Sequence, residues 1–232
     1  MRKIQSRLAT AERLLEAGRT VEAEAIYEQI LGHRPRCTDA LYRLALLRHA
    51  AGRLEDAVAL LQRAATEKPE QLNYLHTLAR LHTEAGRPAD AVTCYRRAAH
   101  VRPQQVITHR MLGEALRRMG RFDEAVESYR TALVMTPYDP DLLIGLGLSM
   151  ADQGRLEEAM SILTQAVEAD TEYALPHAAL GRVLAMQGRN GDALDRLDRA
   201  VDLDPGDVAL RRERDALRAR MEHVAHGKST GA

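Results

Sequence analysis

Small, apolar and turn-forming residues return along this chain at a fixed step of 34 positions, without insertion or deletion. Glycine stands at 18, 52, 86, 120, 154 and 188, and an arginine follows each one. Before it lies a small residue, Ala11, Ala45, Ala79, Gly113, Gly147 and Gly181, preceded in five of the six cases by leucine. After it come Ala23, Ala57, Ala91, Ala125, Ala159 and Ala193, then Tyr27, Leu61, Tyr95, Tyr129, Leu163 and Leu197. Proline closes the pattern at 35, 69, 103, 137 and 205, with Thr171 in the remaining place. A period this regular is the signature of stacked repeats, in which each unit covers the apolar face of its neighbour.

The spacing predicts two helices per unit. If the stretches on either side of the Gly-Arg step fold back antiparallel, the small residue and the alanine face each other, and small side chains there let the helix axes approach. Acidic residues after the turn, as in Leu54-Glu55-Asp56 and Phe122-Asp123-Glu124, suit the positive end of the second helix. Proline lacks an N–H and restricts the residue before it, so it ends that helix. Each unit is expected to be a helical hairpin.

Leucine before a small residue, then alanine, then Tyr or Leu, then proline, all on a 34-residue period, resembles the tetratricopeptide repeat. The resemblance covers residues 4–207 as six units beginning near 4, 38, 72, 106, 140 and 174. The family's leading tryptophan is replaced throughout, by Arg7, Leu41, Leu75, His109, Leu143 and His177. What the family implies is an all-α, right-handed α-solenoid whose first helices line a concave, peptide-binding side. Carried onto this sequence, the groove positions include Gln5, Leu8 and Glu12, then Asp39, Tyr42 and Arg43, then Asn73, His76 and Arg80. Further along they include Arg110, Met111, Glu114 and Arg117, then Ile144, Gly145 and Leu148, then Ala178, Ala179 and Arg182. The arginines would meet carboxylates of a partner segment, and Tyr42, Met111, Ile144 and Leu148 its apolar side chains. The opposing expectation for each arginine is a solvated ion pair with Glu84, Glu114 or Asp141. Neither the chaperone-tail carboxylate clamp nor the asparagine ladder known in this family is reproduced by these residues.

Beyond 207, Leu210, Leu217, Met221 and Val224 fall near one helical face and arginines cover the rest, which predicts a capping helix over 208–225. Residues 226–232 are small and polar and are expected to be disordered. Thirty-three basic against thirty-three acidic side chains leave no net charge, so nothing drives the chain broadly onto nucleic acid. No apolar run is long enough for a membrane span, and the first residues lead into no signal core, so a cytoplasmic address is expected. The two cysteines, Cys37 and Cys94, occupy different registers and suggest neither a disulfide framework nor a metal site. Among nine histidines only His223 and His226 share helical spacing, too few ligands for zinc. No nucleophile elbow, phosphate loop or metalloprotease element is present, so no catalytic residue, metal or cofactor is expected. The leading functional expectation is a scaffold that binds protein or peptide segments and assembles a complex. Two others stand beside it: a substrate-recognition or regulatory arm of an enzyme, and a homo-oligomer formed through the apolar face of the fifth and sixth units.

Overall fold

The computed structural model describes the backbone of residues 2–229 and the side chains of residues 3–223. Among the described residues there are thirteen α-helices and no strand. They fall into two compact units, Met1–Pro103 and Gln104–Ala232. The first unit holds three hairpins, α1 (Arg2–Glu16) with α2 (Thr20–His33), α3 (Thr38–Ala50) with α4 (Leu54–Glu67), and α5 (Leu72–Glu84) with α6 (Pro88–Val101). The second holds three more, α7 (Val106–Arg118) with α8 (Phe122–Met135), α9 (Pro140–Asp152) with α10 (Leu156–Ala169), and α11 (Ala174–Met186) with α12 (Asn190–Leu203), followed by α13 (Val208–Ser229). Within each unit the hairpins stack in chain order, which is the α-solenoid class of fold.

All six Gly-Arg steps have one backbone solution. Gly18, Gly52, Gly86, Gly120, Gly154 and Gly188 sit at φ between 71° and 80°, the left-handed region that costs an L side chain but not glycine. At each of them the glycine N–H donates three residues back and the arginine N–H five residues back, as in Gly154 to Ala151 at 2.8 Å and Arg155 to Met150 at 3.0 Å. That pair of bonds is the Schellman motif, which satisfies carbonyls left open at the end of the first helix. The arginine is then the N-cap of the second helix, and its side chain makes no capping bond there. Its guanidinium instead meets a carboxylate. Arg19, Arg121, Arg155 and Arg189 reach the acid three residues on, Arg53 reaches both Asp56 three residues on and Glu24 one hairpin back, and Arg87 turns to Glu55 one hairpin back.

The close approach inside each hairpin is visible where the small residue is glycine. A Cβ on Gly147 would come within 2.7 Å of Leu163 and 3.3 Å of the Ala159 carbonyl, and one on Gly181 within 3.0 Å of Leu197 and 3.1 Å of the Ala193 carbonyl. Ala159 and Ala193 are fully buried opposite them. The second helices end two residues before each proline, and α10 ends likewise two residues before Thr171. There the loop is held by side chains instead: Asp170 Oδ1 accepts from the Glu172 N–H at 3.1 Å, and His177 Nε2 lies 3.3 Å from the Thr171 carbonyl.

The last helix begins one 34-residue period after α11, so α13 stands where a seventh first helix would. Asp207 caps it, its Oδ1 accepting from Ala209 and Leu210 at 2.7 and 3.2 Å. Leu210 and Leu217 are buried, while Arg214 and Arg218 pair with Asp198 of α12. One side is thus closed on the hairpin before it and the other is charged, as a terminal repeat requires. The helix runs past the expected boundary at 225, through residues 226–229 that were expected to lack structure. The run Ala225–Gly227 offers no proline to stop it, and glycine within a helix costs only about 1 kcal/mol. The side chains of residues 224–232, Val224 among them, lie outside the described residues, as does the backbone of 230–232.

Candidate functional site

In the first unit, the first helices α1, α3 and α5 bring seven of the expected groove residues around one cleft of 410 Å³. Gln5, Leu8 and Glu12 line it from α1, Asp39, Tyr42 and Arg43 from α3, and Asn73 from α5. Ala9, Gln71 and Tyr74 complete it. Tyr42 and Tyr74 form the aromatic wall, with ring centroids 5.1 Å apart and planes tilted by 31°. Arg43 pairs with Glu12 at 3.0 Å across α3 and α1, and both side chains are half exposed. Beneath them Tyr27 of α2 is fully buried, and burial pushes its phenol up, opposed by Arg43 and reinforced by Glu12.

The other expected residues of this unit lie further along the same helix face. His76 is half-buried, with its ring 6.1 Å from that of Tyr95 and its pKa lowered by burial. Arg80 donates to Glu84 at 2.8 Å, and His49 Nε2 reaches the other oxygen of the same carboxylate at 2.5 Å. Glu84 therefore ties α3 to α5 through His49, while Arg80 holds it from its own helix.

In the second unit the corresponding face holds Arg110, Met111, Glu114 and Arg117 on α7, Ile144 and Leu148 on α9, and Arg182 on α11. Its floor is made of small residues: Gly145, Ala178 and Ala179 are buried. Gly145 is needed because Tyr129 rises from α8 directly beneath it; a Cβ there would overlap the ring, and one on Gly113 of α7 would lie 2.9 Å from its opposite edge. Burial between these glycines raises the Tyr129 phenol to about 12. Leu175 and Met186, both on α11, stay 42 % and 55 % exposed and give this face its apolar character.

Every arginine expected to meet a partner's carboxylate is already paired within the chain. Arg80 meets Glu84, Arg110 meets Asp141 at 3.8 Å, Arg117 meets Asp152 at 2.9 Å, and Arg182 makes a two-pronged contact with Glu213 of α13 at 2.6 and 2.7 Å. Glu114 is taken by Arg118 at 2.6 Å. The solvated-pair alternative is thus the arrangement present, and the arginines are not a set of open anion sites. Tyr74 and Gln71 were missed by the groove template because they lie at positions assigned to the core or the loop. One signal was in the sequence: Tyr74 is the single aromatic at a position filled elsewhere by Ser6, Ala40, Thr108, Leu142 and Pro176.

Among the described residues no group of three or more metal-ligating side chains occurs. Cys94 is buried and its thiol is pushed up to about 11 by that burial, so it is not a ready nucleophile. Among the described residues no helix is long and apolar enough to cross a membrane.

Two sequence profiles of the tetratricopeptide repeat match, one over residues 14–81 and 150–220 and the other over 76–140 and 110–174. The chain belongs to the tetratricopeptide repeat family. The thirteen helices among the described residues accord with about six such repeats and a final helix. No curated protein matches it by sequence. Among solved structures it is similar to YrrB, described as a TPR protein with an unusual peptide-binding site, at 18% identity over 82% of this chain and 97% of that one, with a TM-score of 0.61. It is also similar to TTC0263, a thermophilic TPR protein of Thermus thermophilus, at 24% identity over 79% and 100% of the two chains with a TM-score of 0.62, and to MamA, at 15% identity over 70% and 95% with a TM-score of 0.62. Folds of this family serve in general as protein–protein interaction scaffolds and are typically without catalysis.

Proposed function

We propose that this protein is a non-enzymatic scaffold that binds segments of a partner protein on its first-helix face and thereby assembles a complex. The carrying observation is the 410 Å³ cleft on α1, α3 and α5, which gathers side chains spread over three repeats into one concave place with aromatic, amide and charged groups. Partner choice then rests less on open positive charge than on the Tyr42–Tyr74 wall in the first unit and the apolar strip of Met111, Ile144, Leu148 and Leu175 in the second. Carboxylates of a partner can still compete for Arg80 or Arg117, because exposed pairs of this kind contribute only about 0–1 kcal/mol. A cytoplasmic setting belongs to the same reading.

The test is site-specific photo-cross-linking in extract of the source cell. A cross-linker at Tyr42 or Arg80 should give discrete adducts, whereas one at Gln62, exposed on α4, should give none. Equal adducts from both faces would overturn the reading. Self-association through Leu175 and Met186 is the second reading, since both are exposed and large. Sedimentation that does not change with concentration would remove it.

A further inference from the structure

Charge balances over the whole chain but not within its two units. Residues 1–103 carry 17 basic and 12 acidic side chains, and residues 104–232 carry 16 and 21. The imbalance is concentrated at the end of the hairpins opposite the Gly-Arg turns, where each second helix finishes and a loop leads to the next first helix. In the first unit, residues 28–37, 62–71 and 96–103 hold seven basic and three acidic side chains. In the second, residues 130–139, 164–173 and 198–207 hold two basic and eight acidic ones. Arg34, Lys68, Arg97 and Arg102 are exposed on the first edge, Glu168 and Asp202 on the second, and none of the six makes an ion pair among the described residues.

Helix electrostatics explain one edge and not the other. A helix C-terminus is its negative end, so His33, Lys68 and Arg102, at the ends of α2, α4 and α6, sit where the fold favours positive charge. Glu168 and Asp202 lie in the last turns of α10 and α12, and Asp170 and Asp204 follow as C-caps, with no basic residue in either last turn. The dipole disfavours acids there. Asp170 and Asp204 accept from the Glu172 and Gly206 N–H groups at 3.1 and 3.2 Å, but Glu168 and Asp202 have no such local partner among the described residues.

We infer that the basic loop edge of the first unit docks on the acidic loop edge of the second unit of another copy of this chain. Both edges are built by the same 34-residue repeat, so three basic and three acidic loops recur at one spacing and can face each other loop for loop. A nucleic acid would suit the basic edge, but the acidic unit would repel it and the acidic edge would be left without a role. A second copy supplies both complements. The contact uses no charged residue of the cleft and neither Leu175 nor Met186, so it stands apart from partner binding on the first-helix face and from apolar self-association.

Sedimentation velocity of the full chain, over a range of concentrations and salt, is the test. Exposed ion pairs contribute little singly and are screened, so the chain should self-associate at about 0.01 M salt, where the screening length is about 30 Å, and be a single species at about 1 M, where it is about 3 Å. Arg97→Glu with Arg102→Glu, and separately Glu168→Lys with Asp202→Lys, should each weaken self-association roughly tenfold or more, because like charges then face each other. Mixed in equal amounts, the two variants should re-form a complex containing one copy of each, since every reversed edge again meets its opposite. All four positions are exposed, and circular dichroism should show the helices intact; if either pair of substitutions unfolds the chain, the salt series on the parent decides. A parent that stays one species at low salt, association that survives in about 1 M salt, or folded variants that fail to re-associate would each overturn the inference. Persistence in salt would assign the contact to Leu175 and Met186 instead. Binding of single-stranded oligouridine that Arg97→Glu with Arg102→Glu abolishes, without self-association of the parent, would give the basic edge to nucleic acid and overturn it too.

Discussion

Replacing Gly145 by alanine should destabilise the second unit, although alanine is the better helix former. Within α9 the exchange favours the helix by up to about 1 kcal/mol. Against that, the new Cβ would overlap two ring carbons of Tyr129 and lie 2.8 Å from its hydroxyl. The ring cannot retreat, since the α7 backbone at Gly113 already confines its other edge. Overfilling a packed site of this kind costs about 1–3 kcal/mol, so the net effect is a loss of roughly 1–2 kcal/mol and a few degrees in melting temperature. The sign should depend on Tyr129. One repeat later the same two positions hold Leu163 and Ala179, both buried without conflict, so leucine accommodates alanine there. In a Tyr129→Leu background, Gly145→Ala should therefore be neutral or stabilising by up to about 1 kcal/mol, a coupling within the range found for touching residues. Melting followed by circular dichroism on the four proteins of the cycle decides it. Stabilisation by Gly145→Ala in the parent, or an equal change in both backgrounds, would refute the packing argument.

Three further expectations rest on single contacts. Ala125→Leu, at a fully buried hairpin contact, should cost about 1–3 kcal/mol, while Glu127→Ala, whose exposed pair with Arg130 is 3.1 Å long, should cost far less; indistinguishable melting curves would mean the contact is misassigned. Asp207→Ala removes the cap of α13 and should lower stability by about 0.5–2 kcal/mol, with faster amide exchange beginning in that helix's first turn. The third concerns acid. Burial lowers the pKa of His82 below 6.5, with Asp90 at 3.9 Å only partly opposing it, and burial lowers His76 and His177 as well. The folded chain thus binds these protons less readily than the unfolded one, so the associated stability is complete above about pH 6.5 and declines as pH falls through the lowered values. Urea midpoints should drop below that pH, and less so in His82→Leu; a midpoint that rises on acidification would contradict the assignment.

Much of the candidate site could be read from the repeat register, because position within a helix fixes which side a residue takes. Gln5, Leu8, Glu12, Asp39, Tyr42, Arg43 and Asn73 were all placed by that rule and do line one cleft. The rule left the electrostatics open between partner-facing arginines and internal ion pairs. It placed Arg80, Arg110, Arg117 and Arg182 on the first-helix face and offered Glu84, Glu114 or Asp141 as ion-pair partners, but did not show that Arg117 reaches Asp152 and Arg182 reaches Glu213.

The chain alone determined the hairpins: a glycine free to adopt positive φ, an arginine able to close the Schellman bonds, and small residues at fixed distances on either side are short-range constraints within one repeat. Tertiary structure decided which groups are spent and which are free. The Tyr42–Tyr74 wall, the Arg117–Asp152 pair and the ring of Tyr129 beneath Gly145 join residues of neighbouring repeats, and they depend on how one helix packs on the next and on which rotamer each long side chain adopts. A periodic sequence repeats its backbone geometry, but contacts between repeats change with every substitution on the facing helices, and no spacing rule within one repeat contains them.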